Sequence, residues 1–290
     1  MLRGQVQLDA RGCARDSPSI SWRTIRKPCH PINPPKLRNR SPVNPIVVIP
    51  ARLASKRLPN KPLADINGKP MIVHMLERGL EADIGPVAVA CGDAAIADAV
   101  RRAGGLAVMT DPALPSGSDR VHAALAELDP DRRHDVVVNL QGDVPTLPPH
   151  WLRAIVAPMD ELAFDISTVV VPIQSEEEAN TASFVKAACA FGEHETVAPA
   201  LYFSRQPIPW GEGPRWHHVG IYAFRRAALD RFVALPPSPL ERREELEQLR
   251  ALEAGMRIAC VRLEHGLFGV DTPADLERAR QILAPKGTPA

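Results

Sequence analysis

The chain has 290 residues, 45% of them apolar, enough for one large domain with a well-buried core. A formal net charge of +1 favours neither nucleic acid nor an anionic membrane surface as partner, and no run approaches the ~18 apolar residues of a membrane span. The balance is uneven, because residues 1–42 carry nine Lys/Arg against two Asp/Glu and leave the remainder mildly acidic. Residues 1–44 are rich in Arg and Pro, lack any helical or strand period, and lack the apolar stretch of a secretory signal. They are predicted to be a disordered or spurious extension that the protein does not need.

From Pro45 the pattern changes. Ile46-Val47-Val48-Ile49 is a wholly apolar run, as a buried parallel strand requires. Apolar residues at Met71, Ile72, Met75, Leu76 and Leu80 predict a helix over 71–82. A strand at 87–90, a helix at 94–103, a strand at 106–109 and a helix at 121–128 follow. Val136–Leu140 carries the strongest strand signal, and 148–158 reads as a helix. Strand alternating with helix at this spacing predicts an α/β fold built on a doubly wound, mostly parallel sheet. After residue 165 strands are predicted at 166–171, 185–190 and 219–224 with fewer helices between them, then helices at 241–254 and 274–283 around a strand at 258–263. The expected division is one domain over 45–284, in which 45–165 serves nucleotide binding. A mixed α+β region follows at 166–265, a closing segment at 266–284, and a tail at 285–290. The five cysteines have no zinc spacing; Cys189 and Cys260 read as buried strand residues of a protein kept in a reducing, cytoplasmic compartment.

Three motifs carry chemistry. The first strand runs into a loop with Arg52, Lys56, Arg57 and Lys61, and cations gathered past the carboxyl end of a strand make an anion site. In N-L-Q-G-D, residues 139–143, Asp143 stands just past the strongest strand, and Gly142 permits close backbone approach. In G-V-D-T-P-A-D-L, residues 269–276, Asp271 precedes a Thr-Pro helix start. Each Asp suits a helix cap as well as a ligand. Two of them past strand ends could share one divalent cation, since magnesium takes one or two carboxylates together with phosphate oxygens.

In this order the three motifs resemble the CMP-Kdo synthetase (3-deoxy-manno-octulosonate cytidylyltransferase) family. Further segments agree: N-G-K-P-M-I-V-H at 67–74, S-G-S-D-R at 116–120, Y-F-S-R-x-x-I-P-W at 202–210, H-V-G-I-Y at 218–222, and P-S-P-L-E with L-E-Q-L-R between 237 and 250. The first loop lacks the Gly-rich G-x-G-T-R pattern of sugar-1-phosphate nucleotidyltransferases. Where the family often has Thr-Asp-Asp after the second strand, this chain has Cys91-Gly92-Asp93, and Val144 stands where Glu often follows Q-G-D.

The resemblance implies a nucleotide-diphospho-sugar transferase fold and CMP transfer from CTP to Kdo for lipopolysaccharide synthesis. It implies that Arg52 and Lys61 hold the CTP phosphates and act in catalysis with Asp143 and Asp271, which bind magnesium. Ser116, Gly117, Ser118, Arg120 and Gln141 are implied around the nucleotide, and Arg57, Arg205, His218, Tyr222, Glu247 and Gln248 around the sugar. A planar Arg fork suits the sugar's carboxylate. A homodimer is implied, with no nucleic acid partner and no membrane insertion. The rival readings are CMP activation of another acidic sugar, of sialic or pseudaminic acid type, and a non-catalytic nucleotide-binding homologue.

Overall fold

The structure, a computed structural model, describes residues 43–54, 57–160, 163–264, 266 and 269–284. The expectations for residues 1–42, for Lys56 and for the 285–290 tail lie outside them. Val43 and Asn44 belong to the described part, and the Asn44 N–H donates to Asp135 Oδ1 at 2.7 Å.

The chain opens on β1 (Pro45–Ala51), in which every residue is buried. Val47 and Ile49 pack into one core while Ile46 and Val48 pack into another, so the strand is covered on both faces and reads as an unbroken apolar run. A small hairpin, β2 (Asp65–Ile66) and β3 (Lys69–Pro70), turns on Asn67-Gly68, both at positive φ, the usual chemistry of a two-residue hairpin. Next come α1 (Met71–Glu81), β4 (Val87–Cys91), α2 (Ala94–Arg102), β5 (Leu106–Met109), α3 (Gly117–Leu128), β6 (Val136–Asn139) and α4 (His150–Val156). The later half holds β7 (Ile166–Pro172), α5 (Glu176–Asn180), β8 (Lys186–Cys189), β9 (Val197–Ser204), β10 (Trp216–Arg225), α6 (Arg226–Ala234), α7 (Pro239–Glu244), α8 (Gln248–Glu253), β11 (Ile258–Arg262) and α9 (Pro273–Ile282).

Nine of the described strands form one sheet in the order β5-β4-β1-β6-β10-β7-β11-β9-β8. β1 lies parallel between β4 and β6, β4 is parallel to β5, and β7 is parallel to β11. β10 and β9 run against their neighbours, and β8 returns to pair with the start of β10, so the far part of the sheet curls back on itself. Side chains of α1, α2 and α4 fill the core on one face, and those of α3, α6 and α8 fill the core on the other. The first half, β5-β4-β1-β6, is the doubly wound, parallel α/β architecture expected from the strand–helix alternation, and the later half is mixed, as its sparser helices led one to expect.

Three local expectations are corrected. The helix expected at 241–254 is two helices, because Glu245 adopts a left-handed conformation at φ 55° and ends α7. The helix expected from 121 begins at Gly117, where the Ser116 hydroxyl caps it by accepting the Asp119 N–H. The later half holds a helix, α6, and a full strand, β9, that the sequence pattern left unassigned. Pro199 within β9 weakens its strand signal, and it is tolerated because it pairs with β11 alone: the pairing with β8 stops at Ala200.

Candidate active site

The loop leaving β1 faces a cavity of about 300 Å³ at the carboxyl ends of the parallel strands. Arg52 and Lys61 line it from the loop, and Gln141 and Asp143 line it from the segment after β6. Ser116 and Gly117, at the positive N-terminal end of the twelve-residue α3, complete it together with Arg120. Cations, backbone amides and a helix N-terminus on one concave face suit a polyanion.

Two glycines and an aspartate shape this cavity. A Cβ on Gly142 would come to 3.3 Å from the Pro50 carbonyl oxygen, so the strand ends approach as expected. A Cβ on Gly92 would stand 2.9 Å from an Arg120 guanidinium nitrogen, so this residue of Cys91-Gly92-Asp93 makes room for that side chain. Asp93 accepts the Leu53 N–H at 2.8 Å and fastens the cationic loop to the start of α2. Arg120 is buried. It donates to Thr110 Oγ1 at 2.6 Å and to the carbonyls of Asp111 and Pro112, bracing the loop after β5 from behind the cavity wall. Burial lowers its affinity for a proton, with the nearby Arg52 charge adding to the effect.

At one edge of the cavity Lys61 Nζ lies 3.0 Å from Asp143 Oδ2 and 2.9 Å from Asp271 Oδ1. Arg57 reaches the other Asp271 oxygen at 2.9 Å. The backbone sets up this convergence. Val270 N–H donates to the Asp143 carbonyl at 2.8 Å, and Gly269 packs against the Asp143 carboxyl group. Thr272 caps α9 in a reciprocal capping box with Asp275, which holds the Asp271 backbone N–H at 3.1 Å. Two carboxylates from distant parts of the chain thus already share one cationic atom, and an all-oxygen donor set of this kind fits magnesium. Among the described residues no three His, Cys, Asp or Glu side chains gather into a metal cage, so a cation here would draw its remaining ligands from phosphate and water.

A second group of polar side chains adjoins the cavity. Gln141 Nε2 donates to Asn139 Oδ1 at 3.0 Å, Asn139 Nδ2 to Ser118 Oγ at 3.3 Å, and Ser118 Oγ to Glu247 Oε2 at 3.2 Å. Glu247 Oε1 makes no hydrogen bond of good geometry among the described residues; burial raises the carboxyl's proton affinity, and the nearby Ser116 hydroxyl, Arg250 and Ser118 offset part of that rise. Gln248 is buried beside Glu247 and reaches His218. His218 lies 5.5 Å, ring centre to ring centre, from Tyr222, which pairs with Asn139 across β10 and β6. Burial pushes the His218 imidazole down to about 3 and the Tyr222 phenol well above its ordinary value.

Arg205, just past the end of β9, donates from Nε to the Glu244 carbonyl at 2.8 Å and from its terminal nitrogens to the carbonyls of Glu245 and Ala182. Its side-chain partners here are neutral carbonyls, which leave its charge uncompensated by them. Nearby, the Glu244 carboxylate takes hydrogen bonds from Ser204 and from the Arg205 backbone, and the buried Lys186 ammonium holds the Arg205 carbonyl at 2.6 Å.

The structure therefore brings Arg52, Lys61, Ser116, Gly117, Arg120, Gln141 and Asp143 to one cavity and Asp271 to its edge. It joins Ser118, Glu247, Gln248, His218 and Tyr222 in an adjoining cluster and places Arg205 at the break between α7 and α8. Arg57, which the resemblance assigned to the sugar, stands beside Asp271. Sequence reasoning missed Asp93 and Asn139. The lone Asn closing a run of valines in β6 was the available signal for Asn139.

Known proteins share both the sequence and the fold. The cytidylyltransferase family model matches residues 46–258. The 3-deoxy-manno-octulosonate cytidylyltransferase of Rhodospirillum centenum is 59% identical over 246 residues, which is 85% of this chain and 96% of that protein. The protein of the same name from Rhodopseudomonas palustris is 58% identical over 82% of this chain and 97% of its own length. Among solved structures, a CMP:2-keto-3-deoxy-manno-octonic acid synthetase complexed with CTP matches with a TM-score of 0.75 and 40% identity, over 83% of this chain and 98% of that chain. A glucose-1-phosphate thymidylyltransferase from Bacillus anthracis, described as putative and complexed with sucrose, shares the fold at a TM-score of 0.55 and 16% identity, over 85% of this chain and 98% of that one.

Proposed function

The chain belongs to the 3-deoxy-manno-octulosonate cytidylyltransferase family, and from that membership we infer its reaction, the transfer of CMP from CTP to 3-deoxy-D-manno-octulosonate (Kdo) with release of pyrophosphate. The observation in this molecule that carries the reading is the convergence of Asp143 and Asp271 on Lys61 at the edge of a cation-lined cavity. The anomeric hydroxyl of β-Kdo forms a bond to the α-phosphorus of CTP as the bond from that phosphorus to the bridging oxygen breaks, pyrophosphate leaves with that oxygen, and the hydroxyl proton passes to solvent water. Catalysis then consists mostly of positioning and charge neutralisation.

Several finer features belong to the same proposal. Arg52 and Lys61 meet the triphosphate, with α3 presenting its positive end. Asp143 and Asp271 hold magnesium, which when bound offsets phosphate charge that the side chains alone leave exposed. Gln141, Ser116 and Ser118 border the nucleoside. Glu247, Gln248, Tyr222 and His218 face the hydroxyl-rich sugar, and Glu247 Oε1 awaits a donor that a sugar hydroxyl supplies. Arg205, whose side chain donates to carbonyls among the described residues, supplies the fork for the sugar carboxylate. Exposed Leu201 and Trp210 in the later half are suited to a homodimer contact. The unpaired Cys91, Cys189 and Cys260 agree with a reducing cytoplasm, and no described helix is long and apolar enough to cross a membrane. The product would feed lipopolysaccharide assembly.

The test is pyrophosphate release with CTP and magnesium, offering Kdo, a sialic acid and a pseudaminic acid in parallel. Release with Kdo at a kcat/KM at least about a hundredfold above the other sugars is the expected result. Preference for another sugar would reassign the substrate, and no release with any of them would favour a binding protein.

A further inference from the structure

Thr168 lies at the centre of β7, fully buried, against the bulge that β10 makes between Val219 and Tyr222. Its hydroxyl oxygen has three polar neighbours: the Ile221 carbonyl at 2.8 Å, the Val219 carbonyl at 3.2 Å and His218 Nε2 at 3.0 Å. A hydroxyl has one proton to give, and both carbonyls can only accept. If that proton went to His218, two carbonyl oxygens would face the hydroxyl oxygen with no hydrogen between them, in a site closed to water. The arrangement that satisfies the group sends the proton to a bulge carbonyl and takes one from the ring. His218 is then protonated on Nε2 and has a bare lone pair on Nδ1. That lone pair faces Gln248 Nε2 at 3.5 Å. The carboxamide must turn its NH₂ towards the ring, which directs its Oε1 away from it. The opposite tautomer would set a ring N–H against an NH₂ group and force the carboxamide to flip.

We propose that Thr168 is a positioning residue for the sugar half of the site: with the β10 bulge it locks His218 as the neutral Nε2–H tautomer, and through that ring it fixes Gln248 with its amide oxygen presented to a sugar hydroxyl. The proposal rests on the assignment of Gln248 to the sugar. Burial, which keeps the ring neutral across the working range, removes the doubly protonated form that would erase the distinction. The Phe203 ring, edge-on to His218 at 4.9 Å, restricts the plane of the imidazole, so tautomer is the remaining freedom.

The experiment has two arms. In the first, protein carrying ¹⁵N-labelled histidine is examined by long-range ¹H–¹⁵N correlation, with the His218 signal assigned by its loss in His218→Gln. The expected pattern is that of a neutral ring protonated on Nε2, and an Nδ1–H pattern overturns the proposal. In the second, Thr168→Val is expected to raise KM for Kdo about tenfold with KM for CTP within about twofold of wild type, and to mix the two tautomer patterns. Thr168→Ser, which keeps the hydroxyl, restores both readouts. An unchanged KM for Kdo, or equal losses for both substrates, refutes the positioning role. If Thr168→Val does not fold, Thr168→Ala replaces it, and the wild-type spectrum decides the tautomer by itself. Absence of turnover with any acidic sugar defeats the proposed reaction and the sugar role of Gln248 with it, whereas the spectrum still accepts or rejects the locked ring on its own.

Discussion

Asp143 and Asp271 each give one oxygen to the Lys61 ammonium, at 3.0 and 2.9 Å; Asp143 follows β6, and Asp271 directly precedes the Thr272 cap of α9. Asp143→Asn and Asp271→Asn keep the shape and remove the charge. Each is expected to lower kcat at least about a thousandfold at saturating magnesium, with the melting temperature within a few degrees of wild type. Steady-state pyrophosphate release and a thermal melt measure the two halves of that statement, and near-normal turnover in either variant would end the shared-cation reading. Both residues stood out in the chain because each follows close on an apolar run, but an Asp there suits a helix cap as well, and only the fold shows that the two meet at one ammonium. Asp93 and Asn139 could not be read in the same way. Asp93 matters through the backbone N–H of Leu53, and Asn139 through Ser118 and Gln141. These are contacts set by the order of strands in the sheet, which a single sequence does not carry.

The break between α7 and α8 shows the same limit for whole elements. Residues 241–254 hold helix formers at helical spacing, and local preference alone would run one helix through them. The chain instead bends at Glu245, φ 55°, and the carbonyls of Glu244 and Glu245 turn to Arg205 at the end of β9. The bend starts α8 beside Ser118 and His218, which is how Glu247 and Gln248 come to face inward. A non-glycine residue in this conformation is strained. Glu245→Gly is therefore expected to hold or raise stability, by up to about 1 kcal/mol, and Glu245→Val to lower it by at least about 1 kcal/mol. Urea unfolding compares them, and a loss in the glycine variant would show that the side chain, not the backbone, favours the bend. The strand–helix alternation before residue 165 was legible because β1, β4 and β6 are buried throughout and their runs are unbroken. β9 was not legible, because a half-exposed strand containing a proline looks like a loop.

On the scale of the whole molecule, one ion pair ties the end of α3 to the start of α6 across the sheet's second face. Asp129, buried, accepts the backbone N–H groups of Arg133 and His134 at 2.7 and 3.1 Å and pairs with Arg226 at 3.0 Å. Burial alone would raise its carboxyl, but these hydrogen bonds and the guanidinium outweigh it, and the folded-state value falls below the ordinary carboxylate range. The unfolded chain therefore binds a proton at higher pH than the folded one. The pair contributes its full stability above the ordinary carboxylate range and loses it as pH falls through the folded value. Asp129→Asn is expected to cost about 3 kcal/mol at neutral pH, and the gap from wild type should close under acid. Urea titrations at neutral and acid pH measure this, and a gap that widens in acid would reverse the sign. The sheet itself is finished at Arg262, before the chain reaches Asp271. The closing segment then lays Val270 and Leu276 against Ile66 and Met71 near the front of the fold. A protease cut between β11 and α9 would therefore spare every described strand of the sheet and remove Asp271 from Lys61.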